Sequence, residues 1–157
     1  AIMEENFDGC VVGQAKIVRE GTNTAILSFG TTLQEALKAG DETNATVVDM
    51  QWVKPLDTSI IKDIAQNHKK IITVEDGSVA GGAGSAVNES LHQAGIVIRV
   101  INLGIPDQFI DHAAQNEQYE VCGIDKIAII SSINGAHKTD TENLSRSGSV
   151  SRLPRAK

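Results

Sequence analysis

Short, unbroken apolar runs alternate along this chain with segments whose apolar residues recur every three or four positions. Ala15 to Arg19 alternates enough for a short strand, and Glu20-Gly21-Thr22-Asn23 reads as a turn. Thr24-Ala25-Ile26-Leu27-Ser28-Phe29 and Thr46-Val47-Val48-Asp49-Met50 are apolar nearly throughout, as strands covered on both faces must be. After the first of these, Gly30 gives a sharp exit. Thr31 or Thr32 then offers an N-cap to a helix whose Leu33, Ala36 and Leu37 share a face. After the second, Pro55 with Asp57 or Thr58 starts a helix presenting Ile60, Ile61, Ile64 and Ala65. His68, Lys69 and Lys70 close it with positive charge, which makes His68 a solvated end residue rather than a ligand.

The next unit is the most informative. Ile71-Ile72-Thr73-Val74 is β-branched throughout and ends in Glu75 and Asp76. Small residues and Gly81, Gly82 and Gly84 follow, and a helix with Val87, Leu91 and Ala94 on one side begins. A fourth strand is expected at Ile96 to Ile101, and Asn102 to His112 reads as a loop. Leu103, Ile105, Phe109 and Ile110 are more apolar than a free loop needs, so they pack under the domain or against a partner. Gln115 to Cys122 reads as a short helix stopped by Gly123, and Asp125 caps a last one carrying Ile127, Ile130 and Ile133.

Strand and helix alternating at this tempo mean right-handed crossovers. The fold class is α/β: a three-layer, doubly wound domain with helices on both faces of a mostly parallel sheet of about five strands, one antiparallel. Residues 1–14 form a lead-in, 15–133 the domain, and 134–157 a disordered or artificially added tail poor in apolar residues.

Composition narrows the function classes. A length of 157 residues suits one domain, and 41% hydrophobic with 22% charged residues is ordinary water-soluble composition. No apolar run approaches the roughly 20 residues of a membrane helix, and the acidic N-terminus does not read as a signal peptide. Residues 1–133 carry 9 basic and 18 acidic side chains, a poor surface for nucleic acid. Cys10 and Cys122 lie outside any C-x-x-C pattern and read as reduced, buried thiols. The four histidines make no metal-ligand spacing.

Candidate chemistry gathers at the Gly-rich turn. Amides of the first helical turn, around Gly84 to Val87, suit an anion, while the same glycines also serve close packing or a subunit contact. A dinucleotide fingerprint is incomplete: Gly82-x-Gly84 follows the third strand of the run, Val87 stands where a third glycine belongs, and Asn102 or Leu103 stands where an acid is needed. Glu75 and Asp76 either share acid–base work, or Glu75 accepts hydrogen bonds from the Gly-rich backbone while Asp76 is solvated. Asp111-His112 is a nominal proton-transfer pair without a nucleophile beside it. Trp52 reads as a packing anchor. No catalytic, cofactor-binding or metal residue emerges from these patterns.

Four motifs in register carry a family likeness. Ala25 to Gly30, Val47 to Asp57, Thr73 to Asp76 with Gly81 to Val87, and Asn102 to Asp107 with Phe109 to His112 together resemble the C-terminal domain of 1-deoxy-D-xylulose-5-phosphate synthase over roughly residues 9–127. The resemblance implies a thiamine-diphosphate-dependent transferase of the transketolase superfamily, bacterial and cytoplasmic or plastidial. Such enzymes join decarboxylated pyruvate to glyceraldehyde 3-phosphate, which starts an isoprenoid route.

Thiamine diphosphate and Mg²⁺ are held in that family by N-terminal domains. This chain carries neither the Gly-Asp-Gly metal motif nor the Pro-Arg-Gly segment. The implied role is a module inactive alone, supporting a homodimer and contacting the N-terminal domains. Its candidate contact or anion loops are Glu75, Gly81, Gly82, Gly84, Ser85, Pro106, Asp107, Asp111 and His112. The matching domain of a transketolase or of a 2-oxo-acid dehydrogenase beta subunit, and a free-standing phosphate- or nucleotide-binding domain, are the alternatives. Ala113, where the family often has glycine, and Tyr119-Glu120-Val121-Cys122, in place of a Leu- and Ala-rich helix, depart from the pattern.

Overall fold

A computed structural model describes residues 10–135; the lead-in before Cys10 and most of the expected tail lie outside the described residues. The order is β1 (Lys16–Arg19), β2 (Thr24–Phe29), α1 (Leu33–Thr43), β3 (Thr46–Asp49), α2 (Thr58–Asn67), β4 (Lys70–Ser78), α3 (Ala83–Gln93), β5 (Arg99–Ile105), α4 (Gln115–Cys122) and α5 (Lys126–Ile133). The five strands form one sheet in the order β1-β3-β2-β4-β5. β1 runs antiparallel to β3, and every other pairing is parallel. The expected mixed sheet is therefore present.

Every residue of β2 is buried, which is why its sequence shows no alternation. One apolar layer joins Leu27, Phe29, Val48 and Ile71 to Ile61, Ile64, Val87 and Leu91 of α2 and α3. The opposite layer joins Ile26, Val47, Ile72 and Val74 to Ala36 and Ala39 of α1 and Ile129 of α5. Small residues on α1 let it lie close to the sheet: a Cβ at Gly40 would stand 2.6 Å from Cγ2 of Val47. The layering is helix, sheet, helix.

Several local expectations change. Thr32 does not cap α1 with its side chain. A short 3₁₀ turn, Gly30–Thr32, comes first, and the buried Thr32 hydroxyl bonds Ser28 Oγ and the carbonyls of Phe29 and Val74. Asp57 does cap α2, accepting from Ile60 N at 3.1 Å. His68 is half-buried and structural, with Nε2 2.8 Å from Thr46 Oγ1 and Nδ1 3.0 Å from the Ile64 carbonyl.

Lys70 is the first residue of β4 and not a helix end. Its Nζ donates to the carbonyls of Ser132 and Ile133, so its charge serves the C-terminus of α5 instead. Burial, with the neighbouring Arg99, holds the Lys70 pKa below the ordinary lysine value. On α5 Ile130 and Ile133 pack against the core as expected, but the fully buried apolar residue is Ile129, and Ile127 points outward. Cys10 is exposed, not buried, and Cys122 is half-buried, where desolvation raises its thiol pKa.

Strand β5 starts at Arg99, three residues late, and continues through Ile105, so Asn102 to Ile105 is strand and not loop. β4 explains it: that strand runs on past its acids to Ser78, and Ser78 pairs with Ile105. Leu103 accordingly packs in the core while Phe109 is fully exposed.

Candidate functional site

Strands β2 and β4 are neighbours, but their following connections lead in opposite directions along the sheet. β2 leads through α1 to β3, and β4 leads through α3 to β5. The crevice between their carboxyl ends is the switch point where open α/β sheets usually receive ligands. Phe29 pairs with Glu75 there, which brings Gly30-Thr31-Thr32 alongside Glu75-Asp76.

Glu75 turns inward and is only 5% exposed. Its Oε2 accepts from Ala83 N at 2.8 Å and its Oε1 from Gly84 N at 2.9 Å. Gly82, the N-cap residue of α3, has no side chain to offer, so Glu75 caps the helix from across the turn. A buried carboxylate needs such partners, and the positive end of the α3 dipole favours its charge. The anion expected at this helix start is thus a side chain of the protein itself.

Glycines make the room. A Cβ at Gly82 would stand 2.1 Å from the Ser78 carbonyl oxygen and 2.4 Å from Glu75 Oε2. One at Gly104 would stand 2.8 Å from the Gly77 carbonyl and 3.0 Å from Glu75 Cγ. One at Gly84 would meet Thr73 Oγ1 at 2.6 Å and Asn102 Cγ at 2.8 Å, where Thr73 donates to Asn102 Oδ1. The Gly-rich loop and the Asn102-Leu103-Gly104 stretch therefore meet around one carboxylate. Gly81 takes the left-handed backbone, at φ +74°, that closes the turn, and Ser85 Oγ donates to the Val79 carbonyl.

Asp76 points outward, yet it is engaged. Its Oδ2 accepts from Thr31 N at 3.0 Å and from Thr31 Oγ1 at 2.7 Å, and Thr31 Oγ1 also bonds the Tyr119 hydroxyl. The two adjacent acids face different partners and share no hydrogen bond. Asp107, Asp111 and His112 are exposed, Pro106 is half-buried, and among the described residues none of those three polar side chains makes a hydrogen bond. Trp52 is half-buried with its indole nitrogen unpartnered. Thr31 and Tyr119 are the site residues that sequence patterns missed. A threonine after a strand and a lone tyrosine on a polar helix carry no signal that they meet.

The family profile described as Transketolase, C-terminal domain, matches residues 13–129. The chain belongs to that family. This transketolase C-terminal domain is 48% identical over 118 residues to a 1-deoxy-D-xylulose-5-phosphate synthase of Psychromonas ingrahamii, covering 75% of this chain and 19% of the relative. The synthase of Pseudoalteromonas translucida is 45% identical over 122 residues, 78% of this chain and 20% of that protein. That of Pseudomonas fluorescens is 40% identical over 133 residues, 85% and 21%.

The resemblance to the C-terminal domain of that synthase is borne out, and the chain spans about a fifth of the length of these curated relatives. A solved structure described as a split-gene transketolase, inactive beta4 tetramer, matches with a TM-score of 0.72 at 29% identity, over 79% of this chain and 41% of that one. Among the described residues, no helix of this domain is long and apolar enough to cross a membrane, and no three His, Cys, Asp or Glu side chains cluster to hold a metal ion.

Proposed function

We propose that this domain is the structural, dimer-supporting C-terminal part of a thiamine-diphosphate-dependent 1-deoxy-D-xylulose-5-phosphate synthase, acting with N-terminal domains that carry the chemistry and inactive without them. The observation that carries this reading is the occupied switch point. The position where a sheet of this class receives a ligand is filled by Glu75 on the amides of Ala83 and Gly84 and by Asp76 on Thr31. Identity of 40–48% to synthases of which this chain spans about a fifth supports the reaction.

Thiamine diphosphate and its Mg²⁺ are assigned to the N-terminal domains, a reading supported by Glu75, which already holds the amides of Ala83 and Gly84 at the switch-point helix start. No catalytic step is assigned to this chain. The exposed loop from Pro106 to His112 and the outer rim of the turn at Gly81 and Ser85 are its contact surfaces, and in the parent enzyme the assembly is a homodimer. A bacterial cytoplasm suits the relatives named above.

The test is a chimera. Residues 10–135 replace the matching segment of the Psychromonas ingrahamii synthase, and condensation of pyruvate with glyceraldehyde 3-phosphate is assayed beside the isolated chain. The chimera is expected to turn over and the isolated chain to be inert. Turnover by the isolated chain, or a folded dimeric chimera that fails to turn over, overturns the reading.

A further inference from the structure

The segment between Ile105 and Ile124 is fixed at both ends, by pairing of β5 with β4 and by the buried Ile124, but in between it has little apolar anchorage. No residue of α4 is buried; the Tyr119 ring and Cys122 pack only partly against the α1 side of the core. Hydrogen bonds must therefore place it.

Their direction can be assigned. Asp76 as a carboxylate only accepts, so the single Thr31 hydroxyl proton goes to its Oδ2 at 2.7 Å. Thr31 Oγ1 then has only lone pairs for Tyr119, whose O–H must donate to it. The Tyr119 oxygen in turn accepts from Gln115 Nε2 at 3.1 Å. The relay runs Gln115 to Tyr119 to Thr31 to Asp76, each donor using its proton once, and ends on a charge that strengthens the chain.

The helix passes this placement on to the preceding loop. Gln118 Nε2 donates to the Asp111 carbonyl at 3.2 Å, and Glu117 Oε2 accepts from Ala114 N at 3.2 Å. Asp76, on β4, is thereby connected through one helix to the loop that carries the fully exposed Phe109.

We infer that Asp76, Thr31 and Tyr119 form a latch across the switch point that positions residues 106–123 as one strap, and that the strap loosens as a unit when the latch is cut while the sheet stays intact. What the strap presents to a partner rests on the contact reading of its loop; the latch itself does not. Tyr119 is a positioning residue here, with its ring on the core and its hydroxyl on the latch.

Hydrogen exchange on the full chain tests it, comparing wild type with Tyr119→Phe and Asp76→Ala. Both variants are expected to exchange about tenfold faster or more over residues 107–123, the weight of a hydrogen-bond relay ending on a charge, with β2 and β4 unchanged. Gln115→Ala removes only the outermost link and is expected to move the same amides less. Unchanged protection of the strap in both variants overturns the inference, as does a loss spread equally over β2 and β4. The contact reading fails separately: Phe109→Ser in the chimera leaves the latch intact, and undiminished turnover and dimerisation there would remove the loop's role without touching the latch.

Discussion

Gly82 and Glu75 are so close that a methyl group on the glycine would stand 2.4 Å from the carboxylate Oε2. The same methyl would stand 2.1 Å from the Ser78 carbonyl, which is backbone and cannot swing aside. Gly82→Ala is therefore expected to cost at least the ~1–3 kcal/mol of an overpacked core, and more if the Glu75 cap is broken with it. Gly81→Ala meets nothing within 4 Å, so it should lose only about 1 kcal/mol through its left-handed backbone. Urea unfolding of both variants checks the order. Equal losses would mean that backbone conformation, not space for Glu75, is what these glycines provide.

Asp57 holds two segments with one carboxylate. Its Oδ1 caps α2 at Ile60 N, and its Oδ2 accepts from Ala15 N at 2.9 Å, just before β1. Asp57→Ala should cost about 1–2 kcal/mol for the cap and further weaken the entry into the edge strand. Equilibrium unfolding gives the total. Exchange at Ala15 to Arg19 separates the two effects, because a cap-only role would leave those amides unchanged.

Strands β2 and β3 were legible because burial on both faces writes itself as an uninterrupted apolar run, and both carry one. Glu75 was legible as chemistry: an acid ahead of a glycine-rich helix start has obvious donors to meet. Strand ends were not, since β5 reaches Ile105 only because β4 extends to Ser78 to pair with it, a decision made between chains of residues about thirty apart. The buried face of α5 was legible only in part: Ile130 and Ile133 pack against the core, but Ile127-Ala128-Ile129-Ile130 is apolar without a helical period and so does not single out Ile129 as its buried centre. Thr31 and Tyr119 lie 88 residues apart, and their meeting is a property of the fold alone.

Glu35 makes the docking of α5 sensitive to acid. Its Oε2 accepts from Lys126 N at 3.0 Å, at the start of α5, while its Oε1 pairs with Lys38. Burial pushes its pKa up, but the Lys38 hydrogen bond and the Lys126 amide, with the charges of both lysines, together bring it below the ordinary glutamate value. A depressed carboxylate contributes stability that is full above the ordinary glutamate range and is lost as pH falls through the lowered value. Wild type should therefore lose stability more steeply than Glu35→Gln on acidification below that range. Thermal melts of both across acidic pH read it; parallel curves would show that Glu35 takes no part.

Glu75→Ala distinguishes an internal cap from a ligand site left waiting. In wild type the amides of Ala83 and Gly84 are taken, so inorganic phosphate has nothing to bind and the melting temperature should not respond to it. The variant leaves two buried donors unpaired and should lose about 2–4 kcal/mol, roughly 1–3 for each unsatisfied group with partial relief from entering water. It should also gain what wild type lacks, a rise in melting temperature with phosphate, since an anion that binds only the folded state stabilises it by mass action. The decisive comparison is the slope of melting temperature against phosphate in the two proteins at constant ionic strength. A slope in wild type equal to that of the variant would mean that Glu75 does not occupy the site, and the binding-domain reading of this fold would then displace the structural one.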